Sequence, residues 1–583
     1  MMVQRVIVFI CLLESVILYE LRYNVPLDET TNSSLKWDYD QYDSEVLQFE
    51  WSVTREYDSG AVLAFTNYEY MNNADLLVLD ESDRVYDAYT NDDSMITLDN
   101  DKNIDCHVKS RKTIQKMKQS VVSCKRPVDT CDEHDYVIDS GTVHIMSGKL
   151  NQRQLLEIKE NRSSLHFDLR NIKLHLQRVQ LLKSQEKFPT ISNDALHYDF
   201  LNSNVTIPNV DTTYWCKRFE LPSDIVKEPH HIIRFDGVVS PQSEGVVHHM
   251  ELFHCNIPPE KEVPEYNRPC TAEQKPMGLT ECRRVIGAWA LGAANFSYPK
   301  EAGGTIGGKH QSKYVVLEVH FNNPDLKAGI IDHSGIRIYY TRELRKNDAA
   351  IMEVGLEYNP KNSIPPHLAA FRLSGYCLGP CTNVGLPEEG ITVFASQLHT
   401  HLTGVQVFTR IIRKDGTIEI LNIDRHYSPH FQEIRILQKP IKIYKGDTIL
   451  HTCIFNTRER KKMTFGGFSI HDEMCVNYMH YYPKADLEVC KTSVNDDSLN
   501  EFFSAMYKVD YAQTDENKTV EQNYESITWT PLTSAILQTF YEQAPIHFSC
   551  NGSNGNYLSG ENWNKYSAQE PLQRDVSLPS NCR

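Results

Sequence analysis

The sequence predicts a mainly β protein that contains several β-sandwiches. Short apolar or alternating runs, broken by Pro, Gly and Asn, recur along most of its 583 residues, and such runs are typical of strands. One of them, VQVFTRIIRKDGTIEIL at 405–421, has Asp415 and Gly416 between two alternating segments, which predicts a β-hairpin. Helical periodicity is indicated only at 109–121 and within 151–182. Because the chain is too long for one hydrophobic core, we expect two to four domains.

The N-terminus has the pattern of a secretory signal. Arg5 precedes an apolar run from Val6 to Leu18, which Glu14 and Ser15 interrupt. A membrane-spanning helix needs about twenty apolar residues, and no later segment of the sequence has them. We therefore assign residues 1–20 to a signal peptide. Because no clear small-x-small cleavage site follows, an uncleaved signal anchor that tethers the protein is the alternative.

Cysteines and glycosylation sequons both indicate the secretory pathway. Of the fifteen cysteines, Cys11 lies in the signal, and the other fourteen form an even number that favours disulfides in an oxidising compartment. Asn-x-Ser/Thr triplets are acceptors for glycosylation. The six candidate acceptors are Asn32, Asn161, Asn204, Asn295, Asn517 and Asn551.

The charge of the chain argues against nucleic acid or an anionic membrane surface as a partner. The formal net charge is -17, whereas both partners require a basic face. Residues 37–105 contain eighteen Asp and Glu against three Lys and Arg, a local charge of -15. We interpret this concentration as the solvated acidic surface of one domain.

Composition divides the remaining chain into five regions. A first domain spans 45–149 and opens with LQFEWSV, and a polar linker spans 150–204. Two further β domains span 205–345 and 346–507. A polar extension spans 508–583 and contains Cys582.

Two histidine pairs have spacings that allow metal binding. In QLHTHLTG, His399 and His401 project from one face of an extended strand, because side chains alternate along it. In VVHHMELFHC, His248 and His249 are consecutive, so both reach one ion only at a strand end or a bulge. Ordinary surface or core histidines remain the alternative for both pairs, since spacing alone does not decide.

Further residues extend the set of candidate ligands. His320 ends the buried run YVVLEVHF. Met474 offers a thioether, a soft ligand that favours Cu(I), although a methionine is more often a core residue. The remaining candidates are His230, His231, His254, His471 and His480.

Five motifs together resemble the copper type II, ascorbate-dependent monooxygenases. The motifs, in the family's order, are DTTYWC, HHMELFHC, LEVHFNNP, FASQLHTHLTG and DEMCVNYMHYYP, and the similarity extends from about residue 126 to about residue 503. It is closest to the branch of the family that hydroxylates phenethylamines. The resemblance implies a DOMON-like β-sandwich at 45–149, followed by two copper-binding, jelly-roll-like β-sandwiches at 205–345 and 346–507.

The resemblance also implies two copper ions per chain, ascorbate as reductant and O2 as co-substrate. Tyr214 and His399 match positions that the family assigns to the active site, and Tyr478 is where a substrate-side tyrosine is expected. The expected ligands are His248, His249 and His320 for an electron-transfer copper, and His399, His401 and Met474 for the oxygen-binding copper.

The implied reaction is hydroxylation of the benzylic β carbon of an aromatic amine, from tyramine to octopamine or from dopamine to noradrenaline. The alternative is a peptidylglycine α-hydroxylating monooxygenase, which has an arginine two residues before the HxH pair to bind a carboxylate. Gln397 occupies that position, and an amide does not neutralise a carboxylate. A second alternative is a non-enzymatic, secreted DOMON glycoprotein, and the presence of all six expected ligands argues against it.

Family similarity suggests how the cysteines pair. The pairs that the family implies leave Cys106 and Cys124 unassigned, and we expect these two to bond to each other. Residues 491–549 contain no cysteine to link subunits, so a homo-oligomer would be non-covalent. The expected location is the lumen of a secretory or synaptic vesicle, with secretion or membrane tethering as alternatives. The implied pairs are Cys131–Cys582, Cys216–Cys270, Cys255–Cys282, Cys377–Cys490, Cys381–Cys550 and Cys453–Cys475.

Overall fold

The chain folds into two compact units of mainly antiparallel sheets. The computed structural model describes residues 21–28, 33–40, 45–92, 94–99, 104–114, 116–160, 172–184, 191, 195–270, 276–290, 293–323, 325–560, 562–563 and 566. Unit 1 comprises the described parts of 1–137 and 144–177, and unit 2 comprises 138–143 and the described residues from 178 onward. The prediction of a mainly β protein is confirmed. Within the described residues, no helix has the length and apolar character needed to cross a membrane.

Unit 1 is formed mainly by two sheets. Its elements are β1 (Tyr23–Asp28), β2 (Ser33–Asp40), β3 (Val46–Glu56), β4 (Gly60–Thr66), β5 (Asp75–Leu79), β6 (Val85–Thr90), β7 (Ile96–Leu98), β8 (Asp105–Ile114), β9 (Met117–Pro127), β10 (Val143–Leu150), α1 (Gln152–Glu160) and β11 (Leu174–Val179). One sheet has the order β1-β2-β3-β9-β8 and the other β11-β10-β4-β5-β6-β7. Every second residue of β3 is buried, as expected for a strand with one face on a core.

The helical periodicity is wrong for the first of two stretches, and the second contains both a helix and a strand. Residues 109–114 and 116–121 lie in the β8-β9 hairpin. Burial alternates along β9, but two of its buried positions are Lys118 and Ser120. The pattern of apolar residues in the sequence therefore does not show the period of a strand. Within 151–182, the helix α1 ends at Glu160 and β11 begins at Leu174, while 161–171 lie outside the described residues. Two strands before residue 45, β1 and β2, extend the first sheet.

The first part of unit 2 carries the strands that hold one histidine cluster. Its elements are β12 (Leu196–Leu201), β13 (Val205–Thr206), β14 (Thr212–Glu220), α2 (Ser223–Lys227), β15 (Pro229–Val238), β16 (Val247–Cys255), β17 (Asn267–Pro269), β18 (Cys282–Ala290), β19 (Phe296–Ser297), β20 (Ala302–Gly307), β21 (Tyr314–Asn322), β22 (Ile331–Asp332) and β23 (Gly335–Thr341). One sheet has the order β17-β14-β21-β16-β18. Its inner face packs against β15 and β23 through Leu252, Leu317 and Ile338.

The second part of unit 2 carries the HTH and methionine motifs. Its elements are β24 (Asn347–Leu356), β25 (Phe371–Cys377), α3 (Gly379–Gly385), β26 (Ile391–His399), β27 (Gly404–Ile412), β28 (Ile418–Asp424), β29 (Arg435–Ile443), β30 (Thr448–Phe455), β31 (Val476–Tyr482), β32 (Leu487–Val494), α4 (Asp496–Asp510), α5 (Val520–Glu525), α6 (Pro531–Gln543) and β33 (Ile546–Gly552). The sheet β25-β30-β27-β28 contains the predicted hairpin, with Gly416 at φ 83° in its turn. A longer sheet runs β12-β23-β15-β20-β24-β31-β26-β29, so it crosses both parts of the unit.

The interpretation of the region beyond residue 507 as a polar tail is wrong for most of its described residues. In α6, Leu537 and Tyr541 are buried in the core. The strand β33 pairs with β32, which places Cys550 opposite Cys490. Polar residues on the outer face lower the average hydropathy of such segments, while the buried residues recur at helical or strand spacing.

Disulfides cross-link strands and loops within each unit. Unit 1 contains Cys106–Cys124. The predicted pair Cys131–Cys582 involves Cys582, which lies outside the described residues. Disulfides at this density indicate folding in an oxidising, extracytoplasmic compartment, and each typically stabilises by about 2–4 kcal/mol. The bonds of unit 2 are Cys216–Cys270, Cys255–Cys282, Cys377–Cys490, Cys381–Cys550 and Cys453–Cys475.

The candidate glycosylation sites differ in exposure. Asn204, Asn295 and Asn517 are exposed, as an acceptor requires, whereas Asn551 is half-buried within β33. Asn32 and Asn161 lie outside the described residues.

Asp139, in the segment 138–143 of unit 2, is a buried carboxylate near a second buried carboxylate, that of Asp424. Thr142 donates its backbone N–H and its hydroxyl to the carboxylate of Asp424, at 3.0 and 2.6 Å. Asp139 accepts the N–H of Gly141 at 2.7 Å. Burial raises the pKa of Asp139 to about 6, and the negative charge of Asp424 acts in the same direction.

We expect Asp139→Asn to stabilise the protein at neutral pH. The folded-state pKa of Asp139 exceeds that of an unfolded aspartate, so the wild type loses free energy of unfolding as the pH rises from about 4 to about 6. The amide oxygen still accepts the Gly141 N–H, so the gain should be about 1–3 kcal/mol at pH 7 and absent below about pH 4. Chemical denaturation over a pH series measures it, with the exposed Asp486→Asn as control. A stabilisation that persists unchanged at acid pH would contradict the explanation.

Candidate active site

Three adjacent strands place an aromatic ring and two imidazoles in one row. Tyr214 on β14 is paired with His320 on β21, and His320 is paired with His249 on β16. Directly opposed residues of antiparallel strands project from the same face of a sheet. The row therefore brings together side chains that are 35 to 106 positions apart in the sequence only through strand pairing.

A β-bulge solves the geometric problem of the consecutive histidines. Val247 pairs with Phe321 and His249 pairs with His320, which leaves His248 as an extra residue without a partner in β21. A bulge re-aims the side chain of the inserted residue. Both histidines consequently turn toward the same point. The sequence allowed this arrangement only at a strand end or a bulge, and the structure has the bulge.

The three imidazoles converge on a volume suited to a metal ion. The Nδ1 atom of His249 is 3.2 Å from Nδ1 of His248 and 3.3 Å from Nδ1 of His320. Nitrogens bound at about 2.0–2.1 Å to a tetrahedral ion are separated by a similar distance, ~3.3 Å. Burial lowers the pKa of His248 to about 4 and that of His320 to about 3, with the neighbouring histidines contributing. The rings are therefore neutral, which is the form that binds metal.

Tyr214 supports the histidine row from one side. Its ring stacks on that of His320, with centroids 4.4 Å apart and an interplanar angle of 4°. Burial raises the pKa of Tyr214, and the charges of Glu318 and Glu251 add to the effect. The phenol is neutral at physiological pH, so it positions His320 by ring contact and not by charge.

The second donor set lies where β26 ends. The strand ends at His399, and His401 follows two residues later with its ring centroid 5.3 Å from that of His399. Gln432 donates its amide N–H groups to the carbonyls of Thr400 and Pro429, at 3.2 and 2.7 Å. Its Oε1 therefore faces His399 and accepts a hydrogen bond from Nδ1 at 2.6 Å. This contact leaves Nε2 of His399 as the nitrogen with a free lone pair.

His401 is oriented in the same way by the loop that precedes β31. Its Nδ1–H donates to the backbone carbonyl of Asp472 at 3.1 Å, and its backbone N–H donates to the carboxylate of Glu473 at 2.8 Å. Glu473 also accepts the N–H of Thr403 at 2.6 Å. Burial raises the pKa of Glu473 to about 7. Since Met474 follows directly, one buried carboxylate ties the HTH segment to the methionine.

Both donor sets face one cavity of about 730 Å³ inside unit 2. His320 is buried behind its lining, with 1% of its surface exposed. Met474 reaches the cavity between Glu473 and Cys475, and Cys475 is bonded to Cys453. The sequence-predicted residues that line the cavity are Tyr214, His248, His249, His399, His401, Met474 and Tyr478.

Three glutamates line the same cavity. Glu251 and Glu318 are paired across β16 and β21, and Glu353 is paired with Tyr478 across β24 and β31. Burial raises the pKa of Glu251 to about 8, and the charges of Glu318 and Glu353 raise it further. Lys491 forms an ion pair with Glu353. Glu251 is therefore mostly protonated at neutral pH, and a cation bound beside it would favour its ionised form.

The other candidate histidines lie apart from both donor sets. His231 pairs with Asp348 at 2.8 Å. The Nε2 of His254 contacts the carbonyl of Ser312 at 2.9 Å, and Nδ1 of His230 contacts the carbonyl of Glu228 at 2.8 Å. His471 is exposed, and His480 is buried. For His230, His231 and His254, these contacts account for at least one ring nitrogen each without a metal.

Sequence reasoning missed several residues of the site. Gln432, Glu473 and Glu353 carry no spacing signal, because each contacts or pairs with a residue that is distant in sequence. Glu251 and Glu318 do lie two residues from His249 and His320 on their own strands, a period-2 relation that marks the same face. That relation was the one available clue.

A neutral nitrogen-donor cluster and a second set with a thioether, facing one cavity, define a candidate redox metalloenzyme with two metal sites. Comparison with known families identifies residues 198–328 as the N-terminal domain of copper type II ascorbate-dependent monooxygenases, and residues 347–503 as their C-terminal domain. The chain belongs to this family, and it is a copper- and ascorbate-dependent monooxygenase.

Individual relatives match over much of the chain. Dopamine beta-hydroxylase of Homo sapiens is 40% identical over 564 residues, which cover 96% of this chain and 88% of that protein. Tyramine beta-hydroxylase of Caenorhabditis briggsae is 37% identical over 485 residues, which cover 82% and 80%. DBH-like monooxygenase protein 1 of Homo sapiens is 35% identical over 374 residues, which cover 64% and 59%.

Proposed function

We propose that the enzyme hydroxylates the benzylic β carbon of a phenethylamine and uses two copper ions held by the two donor sets. The observation that carries the proposal is one cavity that combines both sets with buried carboxylates and aromatic side chains. The proposed ligands are His248, His249 and His320 for the electron-transfer copper, and His399, His401 and Met474 for the oxygen-binding copper. When bound, copper supplies one-electron redox chemistry and the activation of O2.

The side chains of this cavity perform the binding and positioning. Gln432 and the Asp472 carbonyl hold the Nδ1 protons of His399 and His401, so both Nε2 atoms stay available as ligands. The stacked Tyr214 fixes the plane of His320. The soft thioether of Met474 favours the reduced metal. Three ligands at each site leave a coordination position open.

The charge of the cavity favours an amine over a peptide carboxylate. Burial, together with the charges of Glu318 and Glu353, raises the pKa of Glu251 to about 8, and a nearby ammonium group would favour the ionised carboxylate. A substrate carboxylate would disfavour it. Gln397 lines the cavity where an arginine would be needed to bind a peptide carboxylate. The relatives named for dopamine and tyramine support the same substrate class.

We further propose that the enzyme works in the lumen of a secretory vesicle or after secretion. The disulfides and the exposed sequons at Asn204, Asn295 and Asn517 suit that environment. A membrane tether would come from an uncleaved signal, and an oligomer would be non-covalent, because residues 491–549 contain no cysteine.

Steady-state turnover tests the function. Purified protein loaded with two copper ions per chain should consume one O2 for each molecule of tyramine or dopamine that it hydroxylates at the β carbon. This uptake should require ascorbate. Specificity constants for the two amines identify the preferred substrate. A glycine-extended peptide is the competing substrate, and its preferential hydroxylation, or absence of turnover on every phenethylamine, would refute the proposal.

We expect Gln432→Ala to weaken copper binding at the methionine site. The variant removes the acceptor that fixes the proton of His399 on Nδ1, and loss of such a contact typically costs 10–100-fold in metal affinity or activity. Copper titration, followed at both sites by electron paramagnetic resonance, measures the effect. The control is Gln438→Ala, whose exposed side-chain amide donates to the Leu182 carbonyl at 3.4 Å. Unchanged copper affinity and activity would contradict this role.

A further inference from the structure

Phe468 is an apolar side chain that lines the cavity and yet remains largely solvent-exposed. Its relative exposure is 70%. Burial of a phenylalanine side chain is favourable, so most of that stabilisation is unused in the free enzyme. Single exposed apolar residues are common on protein surfaces. The position of Phe468 on the wall of the cavity, with the apolar Ile470 beside it, distinguishes it from them.

An aromatic row extends inward from Phe468. The ring of Phe468 meets the ring of Tyr358 edge-to-face, with centroids 5.1 Å apart and an angle of 74°. The hydroxyl of Tyr358 is 3.3 Å from that of Tyr478, and the ring of Tyr478 lies 6.1 Å from His399. Tyr358 also donates to Glu353 at 3.4 Å. The row thus connects an exposed ring with a carboxylate and with a proposed copper ligand.

The loop that carries Phe468 is held in place by its backbone. Gly467 donates to the carbonyl of Glu473 at 3.1 Å, and Glu473 donates to the carbonyl of Phe465 at 2.8 Å. A Cβ at Gly467 would collide with the carboxylate of Asp472. Phe468 therefore has a defined position in the same short loop that leads into Met474.

We propose that Phe468 is a specificity-determining residue that contacts the aromatic ring of the substrate. The inference rests on the proposed function. Aromatic rings attract each other at centroid distances of about 4.5–7 Å, and an edge-to-face partner leaves the ring face of Phe468 open. A phenethylamine covers this face with its own ring, while its ammonium group turns toward the carboxylates of the cavity. Substrate binding then buries the apolar surface that the free enzyme leaves in water.

Replacement of Phe468 tests the proposal through the split between KM and kcat. In Phe468→Ala we expect the KM for tyramine to rise about threefold to tenfold, with kcat within twofold of the wild type and two coppers per chain. The inhibition constant of 2-cyclohexylethylamine, which has no aromatic ring, is the second measurement. Phe468→Leu should retain affinity for this inhibitor but lose affinity for phenethylamine-type inhibitors. Tyr507→Ala, at an exposed aromatic on α4, is the matched control and should change neither value.

Each outcome decides between the proposals. An unchanged KM together with an unchanged preference for aromatic over cyclohexyl inhibitors would overturn the role of Phe468. A fall in kcat that accompanies copper loss would overturn it as well, because it would show that the residue only maintains the loop. If the wild type hydroxylates no phenethylamine at all, the proposed function itself fails, and the role of Phe468 fails with it.

Discussion

In a Met474→Ile variant, turnover is expected to fall at least ~1000-fold while the fold persists. Isoleucine has a similar volume and remains apolar, so packing beside the Cys453–Cys475 disulfide changes little. The variant loses the soft donor, and the loss of metal-based catalysis corresponds to several kcal/mol of transition-state stabilisation. Oxygen uptake with tyramine and ascorbate measures the activity, and thermal unfolding reports the fold.

A second methionine provides the control for this variant. Met463 is 7% exposed and belongs to the core of the same part of unit 2. Met463→Ile should retain activity and two coppers per chain, with at most a modest loss of stability. Wild-type turnover in Met474→Ile would remove the methionine from the proposed copper site.

In a His320→Ala variant, turnover should stop although copper remains at the methionine site. The substitution removes one of three converging nitrogens and the ring on which Tyr214 stacks. Among the described residues that line the cavity, His320 is absent, so the donors His399, His401 and Met474 stay in place. Copper per chain is expected to fall from two to one. We expect the remaining ion to show the spectrum of the His399, His401 and Met474 site.

The outcome for His320 separates electron supply from oxygen chemistry. His310→Ala, at an exposed position, is the control and should bind two coppers and turn over normally. Loss of both coppers from His320→Ala would indicate that the two sites are not independent. Normal turnover would exclude His320 from the electron-transfer site.

The site could be predicted from the sequence only in part, and the reason differs between its two halves. His399 and His401 have a spacing that indicates a shared face in an extended strand, but β26 ends at His399, so the loop contacts of His401 and not strand alternation set its direction. For His248 and His249 the spacing indicates opposite faces, and only the bulge against β21 reverses that expectation. Gln432 is 33 residues from His399, and its contact depends on how the segment after β28 packs.

The errors in secondary structure have a similar origin. In β9 the buried positions include Lys118 and Ser120, so the hydrophobic pattern that reveals a strand is missing. In α6 a polar outer face obscured the buried Leu537 and Tyr541. Both segments acquire their structure from the elements that they pack against, which hydropathy along one chain segment does not report.

The sequence by itself determined the β-rich class, the oxidising compartment and the kinds of metal donor, because alternation, cysteine content and side-chain chemistry are local properties. The tertiary structure alone decided which donors converge, which nitrogens stay free and where the buried carboxylates stand. Those features depend on strand register and on contacts between residues far apart in the chain, and a shift of one residue in register would send each side chain to the opposite face of its sheet.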